Sequence, residues 1–183
     1  MHAHLREPGH EQAETIQSGA RAAARGGYTT VACLPDTTPA IDSESGAEYV
    51  RLQSARAGGA DIYPICVLTK GCEGESLAEI GQLTRAGAVA FSDSRPIERS
   101  DMLLKGLKYT AMFDRIVSDI PRDVSLGGGV MSAGVTSTLT GLSGSPAAAE
   151  ELAVVRGCLL ARCLLYTSPS PRDQRGSRMP SSA

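Results

Sequence analysis

Short apolar runs alternate with amphipathic segments along the chain, and this alternation constrains the fold more than any other feature. The runs 28–34, 62–68 and 88–91 are rich in β-branched or small apolar residues and are bounded by turn residues, which predicts buried strands. Segments of helical periodicity separate these runs. Strands and helices that alternate at intervals of roughly 25–35 residues predict an α/β fold with a parallel sheet and right-handed crossovers. This periodicity is compatible with a barrel and with an open sheet.

Cap residues mark where the helices begin and end. Serine with glutamate three residues later is typical of a helix start, and glycine is typical of the position just after a helix end. The predicted helices are 13–25, 43–57, a third that begins at the capping box Ser76-x-x-Glu79, a fourth capped by Ser100, and a fifth over 147–162.

Length and charge exclude several classes of protein. The chain has 183 residues, a formal net charge of −2 and five cysteines without a Cys-x-x-Cys pair. A complete (β/α)8 barrel needs about 250 residues. The small negative charge gives no reason to expect nucleic acid or an anionic membrane as a partner. Unpaired cysteines and the lack of an apolar span or signal sequence predict a cytoplasmic protein with reduced thiols.

The last 21 residues differ from the rest in composition. Residues 163–183 are rich in serine, proline and arginine and read like a translated sequencing-library adapter. Segments of this composition cannot bury enough apolar surface to fold. We therefore predict one domain over 1–162, where the natural sequence ends, followed by a disordered, non-native tail over 163–183.

Polar side chains stand at the ends of the predicted strands, where sites form in parallel α/β folds. His2, His4 and Arg6 occupy alternate positions of the opening segment, Asp36 follows the second strand, and Asp93 follows the fourth. Alternate residues of an extended segment share a face. Two imidazoles on one face are suitable ligands for zinc, and a guanidinium beside them is suited to bind a carboxylate.

Three segments carry a family resemblance. Residues 2–9, 26–31 and 34–39 read His-Ala-His-Leu-Arg-Glu-Pro-Gly, Gly-Gly-Tyr-Thr-Thr-Val and Leu-Pro-Asp-Thr-Thr-Pro. This series resembles the bacterial class I dihydroorotase family of the cyclic amidohydrolase superfamily. The resemblance implies a partial (β/α)8 TIM-type barrel of about strands one to five. It also implies zinc-dependent interconversion of dihydroorotate and carbamoyl-aspartate in de novo pyrimidine biosynthesis.

The resemblance also assigns roles to residues. It implies a site that holds two zinc ions in the full-length family, with metal ligands and substrate-binding residues both contributed by this chain. The implied metal ligands are His2, His4 and Asp93, and the implied substrate-binding residues are His4, Leu5, Arg6 and Asp36.

The chain departs from the family pattern at three places. Asp36 stands where the family usually has asparagine, and a carboxylate there would repel the carboxylate of a substrate. Asp93-Ser94-Arg95 replaces Asp-Asp-Gly, and the stretch 119–123 lacks the histidine of the fifth strand. The catalytic aspartate from late in the barrel is absent. We therefore expect no catalytic residue in this chain and no measurable hydrolase activity from it.

Two other functions are compatible with these residues. One is an allantoinase or hydantoinase, which also cleaves a cyclic amide. The other is a metal-free barrel that acts as a scaffold for a transcarbamoylase. The expected partners are the small-molecule substrate, aspartate transcarbamoylase and, for the full-length protein, further copies of itself.

Overall fold

Five parallel strands form the central sheet of the protein. A computed structural model describes residues 1–167, and its sheet follows chain order from first strand to last. The strands are β1 (His2–Ala3), β2 (Thr30–Cys33), β3 (Asp61–Cys66), β4 (Ala90–Phe91) and β5 (Ile116–Val117), each paired in parallel with the next. Parallel order with helical crossovers makes a curled half-barrel, which confirms the predicted α/β class and partial barrel.

The predicted apolar runs contain β2, β3 and β4, but the strands are shorter than the runs. In the run 28–34 the strand covers only Thr30–Cys33. The strand of the run 62–68 is Asp61–Cys66, which begins one residue before the run and ends two residues before its end. Val67 and Leu68, the last two residues of the run 62–68, lie beyond the hydrogen-bonded ladder and are completely buried. Burial therefore extends beyond backbone pairing at the ends of the strands.

Helices connect the strands and cover the sheet. They are α1 (Ile16–Arg25), α2 (Glu44–Ala57), α3 (Ile80–Ala86), α4 (Ser100–Ala111), α5 (Val135–Thr140) and α6 (Ala148–Thr167). Ser43 caps α2 as predicted, accepting the Gly46 N–H, and Gly58 ends it in the left-handed conformation. Helix α1 begins at Ile16 rather than residue 13 because Thr15 and Ser18 form a capping box there.

The predicted capping box at Ser76 is wrong. Helix α3 begins at Ile80, and Glu79 is its N-cap residue without a side-chain cap. The Ser76 carbonyl instead accepts the Lys70 N–H at 2.9 Å, and Leu77 forms an antiparallel bridge with Thr69. The segment is therefore extended because it pairs with the chain that leaves β3. Ser100 is likewise the first helical residue of α4, and Arg99 is its N-cap.

The chain after β5 contains a small unit that the sequence analysis did not predict. Strands β6 (Met131–Ser132) and β7 (Gly144–Ser145) pair in parallel on either side of α5. Helix α6 then continues through Thr167 and so includes the first five residues of the segment 163–183, whose disorder stays a prediction. In the sequence, cysteine and leucine continue the apolar pattern of the helix after residue 162, and the first proline of the segment 163–183 is Pro169. Residues 168–183 lie outside the described residues.

The core lies between the sheet and the helices that cross it. Val31, Ile62 and Phe91 from the strands are buried together with Ile16 of α1 and Val50 of α2. Such burial contributes about 1.5–3 kcal/mol for each large apolar side chain. No helix in residues 1–167 has the length and apolar character that a membrane span requires.

Candidate functional site

The loops that follow β1 and β2 bring three of the predicted site residues together. Pairing of Ala3 with Cys33 continues where the Leu34 N–H donates to the Ala3 carbonyl at 3.0 Å. This register places the residues just after β1 beside those just after β2. His4 and Arg6 therefore face Asp36 at the carboxyl edge of the sheet.

Asp36 is the centre of this cluster. Its Oδ2 accepts a hydrogen bond from Arg6 Nη1 at 2.8 Å and lies 2.6 Å from His4 Nδ1. A carboxylate can only accept, so His4 donates through Nδ1, and its Nε2 has no hydrogen-bond partner among the described residues. The other oxygen, Asp36 Oδ1, is buried and has no hydrogen-bond partner among the described residues. The structure thus joins His4, Arg6 and Asp36 through hydrogen bonds among themselves, and their role in binding a substrate stays a prediction.

Arg6 reaches Asp36 because the backbone turns sharply at this residue. Its φ of +60° is the left-handed conformation, which is uncommon for a residue with a side chain. Leu5, one residue earlier, is buried in the core, whereas His2, His4 and Arg6 are exposed. The Leu5 side chain therefore packs away from the cluster, and only the backbone of Leu5 is available to a ligand there.

Glu7 holds this turn in place, and the sequence analysis missed its role. Its Oε2 accepts the Ile16 N–H at 2.6 Å, and its Oε1 accepts the Tyr49 hydroxyl at 2.7 Å. This hydrogen bond to Glu7 raises the pKa of Tyr49 above its ordinary value, because the phenol keeps the proton that it donates. One carboxylate therefore ties the Arg6 turn to both α1 and α2.

The turn that contains Gly9 packs directly on the loop after β2. Gly9 has a φ of +101°, and a Cβ there would lie 2.2 Å from the Thr38 carbonyl oxygen. The Thr38 N–H donates to the Pro8 carbonyl at 3.0 Å, and the Thr38 hydroxyl lies 3.3 Å from His10 Nε2. Only glycine permits this approach, which explains physically why Pro-Gly follows Arg-Glu.

Asp93 is buried at the end of β4 and is occupied by protein groups. Its Oδ1 accepts the N–H groups of Leu68 and Thr69, both at 2.8 Å, and its Oδ2 accepts the Thr69 hydroxyl at 2.6 Å. The same hydroxyl accepts the Gly74 N–H at 2.9 Å. Asp93 therefore fastens β4 to the chain that leaves β3.

These contacts test the predicted zinc site. A carboxylate on Nδ1 with Nε2 left open is an arrangement that metal-binding histidines use, and His4 has it. Residues 1–167, however, contain no group of three or more histidine, cysteine, aspartate or glutamate side chains that could hold a metal ion. The described side chains alone therefore do not fit zinc, and the assignment of His2, His4 and Asp93 as ligands stays a prediction.

A cleft adjoins the cluster at the carboxyl ends of the strands. It has a volume of about 290 Å³, and its arginine and aspartate lining residues are Arg6, Asp36, Asp93 and Arg95. Cys72, Asp93 and Arg95 also line a neighbouring cavity of about 780 Å³. Burial raises the pKa of the Cys72 thiol to about 12, so this cysteine is not a nucleophile near neutral pH.

An acid occupies the end of β5, where the sequence analysis noted a missing histidine. Asp119 lies 3.8 Å from Arg156 of α6, which also donates to the carbonyls of Ile97 and Glu98 at 2.8 and 2.9 Å. Burial raises the pKa of Asp119, and the Arg156 charge only partly opposes this effect. No motif or periodicity indicates this pair, whose two residues are 37 positions apart.

Comparisons with known proteins place the chain in a family. The sequence profile described as "Dihydro-orotase-like" matches residues 1–166. A dihydroorotase of Pelotomaculum thermopropionicum is 46% identical over 163 residues, and one of Ruminiclostridium cellulolyticum is 44% identical over 162 residues. These alignments cover 88% and 87% of this chain and 38% of each relative, so the chain spans less than half the length of these relatives. With the match over 1–166 and the parallel half-barrel, the chain belongs to the dihydro-orotase-like family.

Proposed function

We propose that the whole protein is a zinc-dependent hydrolase of the dihydroorotase type, which makes and breaks the cyclic amide of dihydroorotate. Two curated relatives that cover most of this chain are named dihydroorotase. The product, carbamoyl-aspartate, is an open-chain dicarboxylate, and the reaction would serve de novo pyrimidine synthesis in the cytoplasm.

The observation that supports this proposal is the way Arg6 and His4 bind a carboxylate. Both groups already bind the carboxylate of Asp36, at 2.8 and 2.6 Å. Charge-assisted bonds of this length are among the strong hydrogen bonds of proteins. The pair lies beside a cleft of about 290 Å³ at the strand ends, where the sites of α/β barrels form. In this proposal the same pair binds the carboxylate of dihydroorotate or carbamoyl-aspartate.

Zinc would supply a hydroxide for attack on the ring amide, as metal ions do in such hydrolases. The described residues alone contain no group of three or more side chains that could hold zinc. We expect this 183-residue chain to bind ligands of the reaction without turning them over. Hydrolysis of dihydroorotate by the purified chain with added zinc would contradict that expectation.

Ligand selectivity tests the proposed function. The 183-residue chain would be titrated with dihydroorotate, carbamoyl-aspartate, allantoin and hydantoin, and binding followed by ligand-observed NMR. Only the first two carry a carboxylate for Arg6, so we expect them to bind at least about tenfold more tightly than the others. Preferential binding of allantoin or hydantoin would assign the protein to that other class of cyclic amidohydrolase.

Assembly belongs to the same proposal. We propose that the full-length protein forms homo-oligomers and that aspartate transcarbamoylase is its partner. Sedimentation of the full-length protein, alone and mixed with a transcarbamoylase, tests both points. A monomer that sediments independently of the transcarbamoylase would contradict them.

A further inference from the structure

We infer that Asp36 is an internal competitor of the ligand: its carboxylate occupies Arg6 and His4 and so weakens the binding of other carboxylates in the cleft. This inference rests on the proposed function in one respect, namely that the ligand carries a carboxylate. It adds a specificity-determining residue to the site.

The geometry makes Asp36 a substitute for a bound anion. Arg6 and His4 converge on one oxygen, Oδ2, as they would on the carboxylate of a ligand. Their side chains are 45% and 48% exposed, whereas that of Asp36 is 20% exposed. The donors are thus open to solvent, and an entering carboxylate must share them with Asp36 or displace it.

The charges of the cleft support the same conclusion. The arginine and aspartate groups that line the cleft are the guanidinium groups of Arg6 and Arg95 and the carboxylates of Asp36 and Asp93. The two positive and two negative charges cancel, so the cleft has no net charge from these four groups to attract an anion. Two carboxylates about 4 Å apart also repel each other strongly near a protein surface.

An amide at position 36 would remove the negative charge with little change in shape. Its carbonyl oxygen can take the place of Oδ2 and accept from Arg6 and His4. Its NH2 group would then take the place of Oδ1, which has no hydrogen-bond partner among residues 1–167, so no existing hydrogen bond would be lost. The cleft would gain one net positive charge.

The test compares Asp36→Asn with the unmodified 183-residue chain by isothermal titration calorimetry. The probes are succinate, a plain dicarboxylate, and N-carbamoyl-L-aspartate. We expect Asp36→Asn to bind both at least about tenfold more tightly. Asp36→Ala, which removes the charge and also the acceptor of Arg6 and His4, should tighten binding as well.

Asp61→Asn is the matched control. It makes the same change in net charge at an exposed residue, at the start of β3 and so at the opposite edge of the sheet from the strand ends. Its affinity for both probes should equal that of the unmodified chain. Denaturant unfolding of every variant verifies that the fold is retained.

The outcomes separate this inference from the proposed function. Equal affinities of the unmodified chain and Asp36→Asn for both probes would overturn the inference and leave the proposed function standing. Tighter binding of succinate alone would support the role of Asp36 and count against carbamoyl-aspartate as the ligand.

A measurement on the unmodified chain applies even if the variants fail to fold. We expect the unmodified chain to bind N-carbamoyl-L-aspartate with a Kd far above about 1 mM, so at roughly 1 mM ligand the NMR signals of the Arg6 guanidinium and the His4 ring should stay unchanged. A ligand-induced shift of both signals at that concentration would contradict the inference.

Discussion

At the scale of single residues, two carboxylates organise the site by binding the protein itself. Glu7 joins the Arg6 turn to α1 through Ile16 and to α2 through Tyr49. Asp93 joins the ends of β3 and β4 through Leu68 and Thr69. Both acids belong to motifs that point to chemistry, yet their observed contacts are those of structural residues.

Tyr49→Phe tests the structural role of Glu7. The substitution removes the hydroxyl that donates to Glu7 at 2.7 Å and leaves a partly buried carboxylate oxygen without that donor. We expect the free energy of unfolding to fall by about 1–2 kcal/mol in urea titrations. Tyr63→Phe removes a hydroxyl from an exposed tyrosine and should change stability by less than about 0.5 kcal/mol. Equal effects of the two substitutions would contradict the role of Glu7.

Asp93→Asn separates a structural role of Asp93 from a role as metal ligand alone. Both carboxylate oxygens accept hydrogen bonds from the protein, so an NH2 group in either place would face a donor. In the presence of EDTA we expect a loss of about 2–3 kcal/mol in the free energy of unfolding. A variant as stable as the unmodified chain under these metal-free conditions would show that the hydrogen bonds contribute little.

At the scale of elements, pairing between neighbouring strands could be predicted, and the partners of individual side chains could not. The apolar runs located β2, β3 and β4 because buried parallel strands are apolar along their whole length. Parallel register then placed the residues after β1 beside Asp36. The predicted capping box at Ser76 was wrong because pairing of Leu77 with Thr69 overrides local helix signals.

Gly9→Ala tests the contact between the two loops that form the site. The new Cβ would lie 2.2 Å from the Thr38 carbonyl oxygen, and the residue would keep a left-handed φ. We expect thermal and urea unfolding to show a loss of about 2–4 kcal/mol, the sum of steric overlap and backbone strain. In the control Gly27→Ala, φ is +84° and nothing lies within 4 Å of the new Cβ, so strain acts alone. If Gly27→Ala costs as much as Gly9→Ala, the contact with Thr38 is unimportant.

Asp119 makes the attachment of α6 depend on pH. Burial raises its pKa in the folded protein above the ordinary value of 3.8. At a pH between the ordinary and the raised pKa, the folded state therefore binds more protons than the unfolded state. Stability therefore falls as pH rises through the window between the two pKa values. Relative to Asp119→Asn, the unmodified chain should lose stability in urea titrations as the pH rises above the ordinary pKa of 3.8. A difference between the two proteins that is constant or grows in favour of the unmodified chain would contradict this.

At the scale of the whole molecule, the fold class and the family could be predicted from the opening segment and the spacing of the strands. Three of the predicted site residues, His4, Arg6 and Asp36, meet in the structure, and the roles of His2, His4 and Asp93 as metal ligands stay predictions. The hydrogen bond between Arg6 and Asp36 depends on side-chain geometry, which cannot be predicted from periodicity or motif spacing.

The central claim is that Arg6 binds the carboxylate of a ligand. The most direct measurement is the affinity of Asp36→Asn for N-carbamoyl-L-aspartate, compared with that of the double variant Asp36→Asn/Arg6→Gln. Removing the guanidinium that now holds Asp36 at 2.8 Å should weaken binding at least about tenfold. An affinity that does not change when Arg6 is replaced would contradict the account.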